Sequence, residues 1–150
     1  MILNEEQGNL FSLDRRKYIF AHCISLDCEM GKGIAKRFVS EFKGLKTFCK
    51  CEVEKDRLTT PSIIIMYYNK NLDMVFNLVT KNNYWDKPTY ETITKCIEEM
   101  ADICRDCGAK NLAIPRIGCG LDNLQWSKVR EIIEDKFKDI DINIEVRYLR

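Results

Sequence analysis

The sequence predicts an α/β protein in which a mixed, mostly parallel sheet lies between layers of helices. Three observations predict it. Short apolar runs and helical stripes intermix along the chain, the order that builds strand–helix–strand units. Two runs, Ser62 to Tyr68 and Met74 to Thr80, are separated only by turn residues and read as a hairpin, which makes the sheet mixed. Two glycine loops, Gly31-Lys32-Gly33 and Gly118-Cys119-Gly120, each stand between a strand and a helix. The length of 150 residues and the 45% hydrophobic content suit a single domain, residues 1–150, with a core of its own.

Taken in order, Ile2 to Asn4 opens a strand, and Gly8-Asn9-Leu10-Phe11 turns the chain. Tyr18 to Ser25 is apolar throughout, as expected of a central strand buried on both faces. After the first glycine loop, Ile34, Phe38 and Phe42 share one helical face, with Lys36, Arg37 and Glu41 on the other. Gly44 stops that helix. Residues 45–61 are mixed and charged, and no element is assigned to them. Asn69-Lys70-Asn71 is the hairpin turn, and Lys81 ends its second strand. Pro88 lies at or near the start of a helix whose stripe is Tyr90, Ile93, Ile97, Met100, Ala101 and Cys104, closed by Gly108. Leu112 to Ile114 is a short buried strand, and Trp126, Val129, Ile132, Ile133 and Phe137 mark the last helix. Ile142, Ile144, Val146 and Tyr148 alternate with polar residues, the pattern of a half-buried closing strand.

Bulk properties remove several function classes. Twenty-four basic against 23 acidic residues give a net charge of +1, which argues against a dedicated nucleic-acid or membrane-surface protein. No run of about twenty apolar residues is present, so no membrane span is expected. The first residues, Met1 to Glu6, lack the basic start and apolar stretch of a secretory signal. Eight cysteines in a chain that can fold without disulfides are read as free cytosolic thiols. Cys49 and Cys51 with Cys104 and Cys107 have four thiols to offer a zinc ion, but only the second pair has the usual gap.

The chemistry gathers at the two loops. Glycines one residue apart let backbone N–H groups converge on an anion, and helix N-termini behind the loops add a favourable field. If the two preceding strands are parallel neighbours, both loops open at the same sheet edge, and the site suits an extended diphosphate. A Walker A loop is absent and Gly31-Lys32-Gly33-Ile34-Ala35-Lys36 leaves the dinucleotide fingerprint incomplete, so neither ATP hydrolysis nor nicotinamide chemistry is supported. Asp122 either moves a proton at whatever the loop holds or caps the last helix in a box with Gln125. Lys81 is either a solvated strand-end charge or an amine made nucleophilic by desolvation. His22, the only histidine, reads as a packed core residue. Tyr84 and Trp85 form either a packing plug or a flap over a ligand. Cys119 sits inside the second loop, where it either fills space or carries a thiol activated by nearby N–H groups.

Ala21-His22-Cys23-Ile24-Ser25, Asp27-Cys28, Met30-Gly31-Lys32-Gly33-Ile34-Ala35, Thr80-Lys81, Lys87-Pro88-Thr89-Tyr90 and Pro115 to Asp122 with Trp126 resemble, in order and nearly end to end, the motifs of macrodomains. The likeness is to the terminal ADP-ribose protein glycohydrolase branch. It implies a three-layer α/β/α macrodomain that binds ADP-ribose, with no metal and no cofactor. It implies that Met30, Gly31, Lys32, Gly33 and Ile34 flank the diphosphate and distal ribose. Ile117, Gly118, Cys119, Gly120 and Leu121 would hold the diphosphate through backbone N–H groups, and Asn9, Leu10, Ser25 and Thr80 complete the ligand-binding set. Lys81 matches the family's catalytic lysine, which attacks C1″ of the opened distal ribose, and Asp122 matches its catalytic aspartate.

The substrates so implied are O-acyl-ADP-ribose and proteins carrying mono-ADP-ribose as an ester on glutamate or aspartate. Nucleic acid would enter only as an ADP-ribosylated substrate. A monomer is expected, in the cytoplasm, or also the nucleus of a eukaryote. The same resemblance also admits a non-catalytic ADP-ribose reader, or a hydrolase of ADP-ribosylated DNA or of ADP-ribose-1″-phosphate. One position departs from the family pattern. Gly8-Asn9-Leu10 stands where many macrodomains have an aspartate, so the acceptor for the adenine amino group carries no charge.

Overall fold

The computed structural model describes residues 1–149. Six strands form one sheet: β1 (Ile2–Gln7), β2 (Ile19–Ser25), β3 (Ile63–Tyr68), β4 (Met74–Lys81), β5 (Asn111–Ile114) and β6 (Asn143–Tyr148). Their spatial order is β1-β6-β5-β2-β4-β3. Every neighbouring pair is parallel except β3 and β4, the antiparallel hairpin at one edge. Helices α1 (Gly33–Glu41) and α2 (Leu45–Lys55) share a core with one face of the sheet. Helices α3 (Tyr90–Cys107) and α4 (Trp126–Phe137) share a core with the other. The expected three-layer α/β/α arrangement is therefore what the chain forms.

The central strands divide their side chains between the two cores. Along β2, Phe20 and Ile24 join the α1–α2 core while Ala21 joins the α3–α4 core. Along β4, Val75 and Val79 go one way and Phe76 and Leu78 the other. A strand covered on both faces must be apolar at successive positions, which is why β2 and β4 read as unbroken runs. Strand β6 lies inside the sheet, and its polar face carries Glu145, only 9% exposed. Arg147 at 2.8 Å and Asn4 at 3.3 Å donate to that carboxylate.

Three local readings are corrected. Residues 45–61 hold a helix, α2, which begins at once after Gly44. Its apolar signal is thin, because only Leu45 and Cys49 are buried, one turn apart among lysines and glutamates. Gly44, in the left-handed region at φ +78°, starts this helix, whereas α1 is already capped at Phe42. Asp122 does not cap α4, whose N-cap position is Gln125, without a side-chain hydrogen bond. Thr89 and Thr92 make a reciprocal capping box at the start of α3, so Pro88 lies just outside that helix. The four-thiol zinc arrangement is ruled out by the layers. Cys49 is buried in the α1–α2 core and Cys104 in the α3–α4 core, on opposite sides of the sheet.

His22 is a core residue, as expected. Its Nε2 lies 2.7 Å from Asn77 Oδ1 on the adjacent strand, and its ring stacks on Phe38 at 3.8 Å. Burial pulls its pKa down from 6.5 to about 4, and the Asn77 bond offsets this only in part. The folded protein therefore holds a neutral imidazole where the unfolded chain takes up a proton. Between about pH 6.5 and pH 4 the unfolded state binds more protons, so stability falls as pH falls through that window and levels off below it. At roughly 1.4 kcal/mol per pKa unit, the loss amounts to about 3 kcal/mol. Urea unfolding of wild type and His22→Gln across this range is expected to show their stability difference changing by that order, then becoming constant below about pH 4.

Candidate active site

Strands β1, β6, β5, β2 and β4 are parallel, so their C-terminal ends reach one edge of the sheet. At that edge lies a cleft of about 1010 Å³, lined from the ends of all five. The chain leaves β2 toward α1 on one face of the sheet and leaves β5 toward α4 on the other. Neighbouring strands whose connections diverge in this way open a crevice between their loops, the usual place for a ligand in such sheets.

The loop after β2 is held by Asp27. Its carboxylate accepts Ser25 Oγ–H and Glu29 N–H on one oxygen and Tyr84 N–H on the other, the last at 2.9 Å. Cys28 (φ +54°), Met30 (φ +47°) and Gly33 (φ +60°) all take left-handed backbone, which is strained for the first two. Burial of the Cys28 and Met30 side chains, 1% and 6% exposed, holds them there. The loop after β5 turns at Gly118, with φ +75°. A Cβ at Gly118 would stand 2.7 Å from Ile93 Cδ1 and 3.0 Å from Leu124 Cδ1, so only glycine fits. A Cβ on Gly33 would meet Leu121 Cδ1 at 3.2 Å, which shows how closely the two loops approach.

Lys81 and Asp122 meet at the cleft. Nζ donates to Asp122 Oδ1 at 2.6 Å, and the two side chains are 13% and 16% exposed. A slip in the β2–β4 register aims the lysine. Ile24 pairs with Val79 but Ser25 with Lys81, so β4 carries one extra residue, Thr80. Such bulges redirect the side chain that follows. Leu26 N–H then donates to the Lys81 carbonyl at 2.9 Å and fixes the strand end. At 13% exposed, Lys81 is not the solvated strand-end charge of the first expected reading; its amine is held against a carboxylate inside the cleft.

Asn9, Leu10, Ser25, Met30, Gly31, Lys32, Gly33, Ile34, Ile117, Gly118, Cys119, Gly120 and Leu121 all line the cleft with Lys81 and Asp122. Thr80 does not, which corrects its expected place in the ligand-binding set. As the bulged residue it is 1% exposed, and its hydroxyl has no hydrogen-bond partner. Asn9 already uses its amide oxygen to accept Phe11 N–H at 3.0 Å, and Arg37 Nη2 stands 3.5 Å from the same atom. Cys119 is no activated thiol. Burial pushes its pKa up to about 11, and its Sγ–H donates to the Ile117 carbonyl. Tyr84 and Trp85 are 53% and 66% exposed, so they are not a packing plug. Helix α4 starts at Trp126, so the second loop is not backed directly by a helix N-terminus as the first is.

Sequence reasoning missed the wall built on Glu5. That carboxylate is 13% exposed and accepts from Arg116 Nη2 at 2.6 Å, Arg130 Nη1 at 2.7 Å and Trp126 Nε1 at 3.0 Å. Burial raises its pKa, but the Trp126 and Arg116 hydrogen bonds and the two guanidinium charges outweigh burial and hold it below the usual carboxylate value. Arg116 in turn lies 3.7 Å from the centre of the Tyr148 ring. The missed signal for Tyr148 is direction: a strand parallel to β5 must end at the cleft, but alternation alone does not tell parallel from antiparallel.

A mostly parallel sheet covered by helices on both faces, with two glycine loops and a lysine–aspartate pair at one crevice, defines an α/β/α sandwich with a cleft built at its strand ends. The chain belongs to the Macro domain family, whose model matches residues 22–133. The ADP-ribose glycohydrolase OARD1 of Homo sapiens is 37% identical over 140 residues, 93% of this chain and 87% of that protein. The corresponding OARD1 of Bos taurus is equally similar, 37% identical over 140 residues. Among solved structures, the macrodomain of Thermus aquaticus DarG superposes with a TM-score of 0.83 at 19% identity, covering 99% of this chain and 98% of that one. Thermosipho africanus DarTG in complex with ADP-ribose gives 0.85 at 20% identity, over 98% of this chain and 41% of that chain.

The packing around the loops yields a paired test. Gly118→Ala combines a left-handed backbone with contacts at 2.7 and 3.0 Å and is expected to destabilise by about 2 kcal/mol, whereas Gly120→Ala, with open space at its Cβ, changes stability by under about 0.5 kcal/mol. Chemical denaturation checks both. By the same measurement Thr80→Val, which keeps the shape and removes an unpaired buried hydroxyl, is expected to stabilise by about 1 kcal/mol.

Proposed function

We propose that the protein is an ADP-ribosyl hydrolase that releases mono-ADP-ribose from acyl esters, on glutamate or aspartate side chains or as O-acyl-ADP-ribose. The observation that carries this reading is the 2.6 Å contact between Lys81 Nζ and Asp122 Oδ1 inside the cleft. The human relative's designation as an ADP-ribose glycohydrolase, at 37% identity over 93% of this chain, supports the same chemistry.

In this reading the diphosphate lies between the loops Met30–Ile34 and Ile117–Leu121, with the distal ribose at Lys81. The adenine amino group donates to Asn9 Oδ1 in place of the long 3.5 Å Arg37 contact, beside the Phe11 N–H that already binds there. Lys81 passes a proton to Asp122 and its freed amine attacks C1″. As the ring opens, the C1″–O bond to the acyl group breaks and its electron pair leaves with the carboxylate. The two amine protons go, by way of Asp122, to the ring oxygen and the departing acid. Water then hydrolyses the C1″=Nζ bond, which restores the lysine and yields ADP-ribose. No step calls for a metal ion. The eight free thiols fit a reducing compartment, and we place the activity in the cytoplasm.

Lys81→Ala and Asp122→Ala are each expected to lower turnover of glutamate-linked ADP-ribose by at least about a hundredfold, while calorimetric affinity for ADP-ribose stays within about threefold of wild type. Undiminished turnover in both variants would overturn the mechanism.

A further inference from the structure

We propose that Tyr84, Trp85 and Leu121 form a docking rim for the polypeptide that carries the ester, so that the protein reads the surroundings of the modified carboxylate as well as the ADP-ribose. The inference rests on the hydrolase reading for the position of the scissile bond at Lys81. The carrier must then leave the cleft past the residues that flank Lys81 and Asp122. Those residues are three exposed apolar side chains: Tyr84 at 53%, Trp85 at 66% and Leu121 at 60%.

Two of the three reach the cleft itself. Tyr84 and Leu121 line the cleft, whereas Trp85 stands outside it. The two aromatic rings meet edge to face, 5.0 Å apart at 84°. Their mounting is firm although their surfaces are open. Tyr84 N–H is bonded to Asp27, and Asp86 Oδ2 accepts from both Asn83 N–H and Asn83 Nδ2, at 3.0 and 3.2 Å. Across the mouth, Lys87 Nζ donates to the Leu121 carbonyl at 2.5 Å and ties the second loop to the aromatic one. Large aromatic groups held in place but left uncovered suit binding, because little conformational entropy remains to be lost.

Charge selects the class of carrier. A nucleic-acid strand needs free cations along its path. At this rim Lys87 is engaged with a carbonyl and Lys81 is paired with Asp122, while the other lysine lining the cleft, Lys32, stands on the first loop, away from the aromatic segment in sequence. An uncharged apolar rim fits a polypeptide with an apolar or aromatic residue next to the modified acid.

The test uses the Lys81→Ala protein, which holds the ester without turning it over. Calorimetry compares free ADP-ribose with a short peptide carrying ADP-ribose on glutamate. The peptide form is expected to bind about tenfold tighter. Adding Trp85→Ala removes that advantage and leaves the affinity for free ADP-ribose unchanged, while Trp85→Phe keeps most of it. In the otherwise unaltered enzyme, Trp85→Ala raises KM for the peptide ester and leaves KM for O-acetyl-ADP-ribose as it was. Equal affinity for peptide and free ligand would overturn the rim, as would a selective loss on an ADP-ribosylated oligonucleotide instead. A binding advantage that survives alongside a catalytically silent wild type would sink the hydrolase reading and leave the rim standing. Failure to bind ADP-ribose at all would remove both.

Discussion

Five of the six strands point the same way, so five strand ends and the segments that follow them crowd one edge of the sheet. The cleft depends on that constraint more than on any single residue. Lys81 and Asp122 are 41 positions apart in sequence, yet the ends of β4 and β5 stand one strand apart, with β2 between them. The same geometry brings Asn9, which follows β1, and Tyr148, at the end of β6, to the rim of one opening. Helices on both faces are what make such a sheet possible, since parallel strands need crossovers and the crossovers bury both sides.

The site is rigid where it has to hold atoms and open where it has to admit them. Asp27 binds three donors and locks the first loop to the segment after β4. Glu5 binds three others and locks the second loop and α4 to β1. Both carboxylates are engaged in holding the loops, whereas Asp122 accepts from Lys81. The half-buried thiol of Cys119 is likewise quiet, its pKa raised to about 11 by partial burial. Among the described cleft residues, Lys81 and Asp122 are the lysine and carboxylate in direct contact, at 2.6 Å.

Most of the fold was legible in the sequence because periodicity reports burial. The runs at β2 and β4 and the stripes of α3 and α4 follow from which faces are covered. Helix α2 was not legible, since two buried positions in eleven residues make almost no stripe. At the site, the two glycine loops were visible as spacing, and Gly118 in particular is dictated by a crowded left-handed turn. The roles of Lys81 and Asp122 were not readable from spacing; they came from likeness to macrodomains, and the coordinates bring the two groups together. Thr80 was misjudged because a bulge is a matter of strand register, which no composition rule detects. Glu5 was missed because its partners, Arg116, Trp126 and Arg130, are more than a hundred residues away.

The extra residue in β4 gives the strand a parity. Side chains alternate along a strand, so the count of residues between the sheet's middle and its end decides which way the terminal one faces. Loss of a single residue from Val75 to Thr80 would cancel the slip and turn the amine away from its carboxylate, however well the new sequence packed. The length of β4 is therefore a constraint separate from its composition: an apolar exchange disturbs one contact, whereas a deletion resets every side chain beyond it.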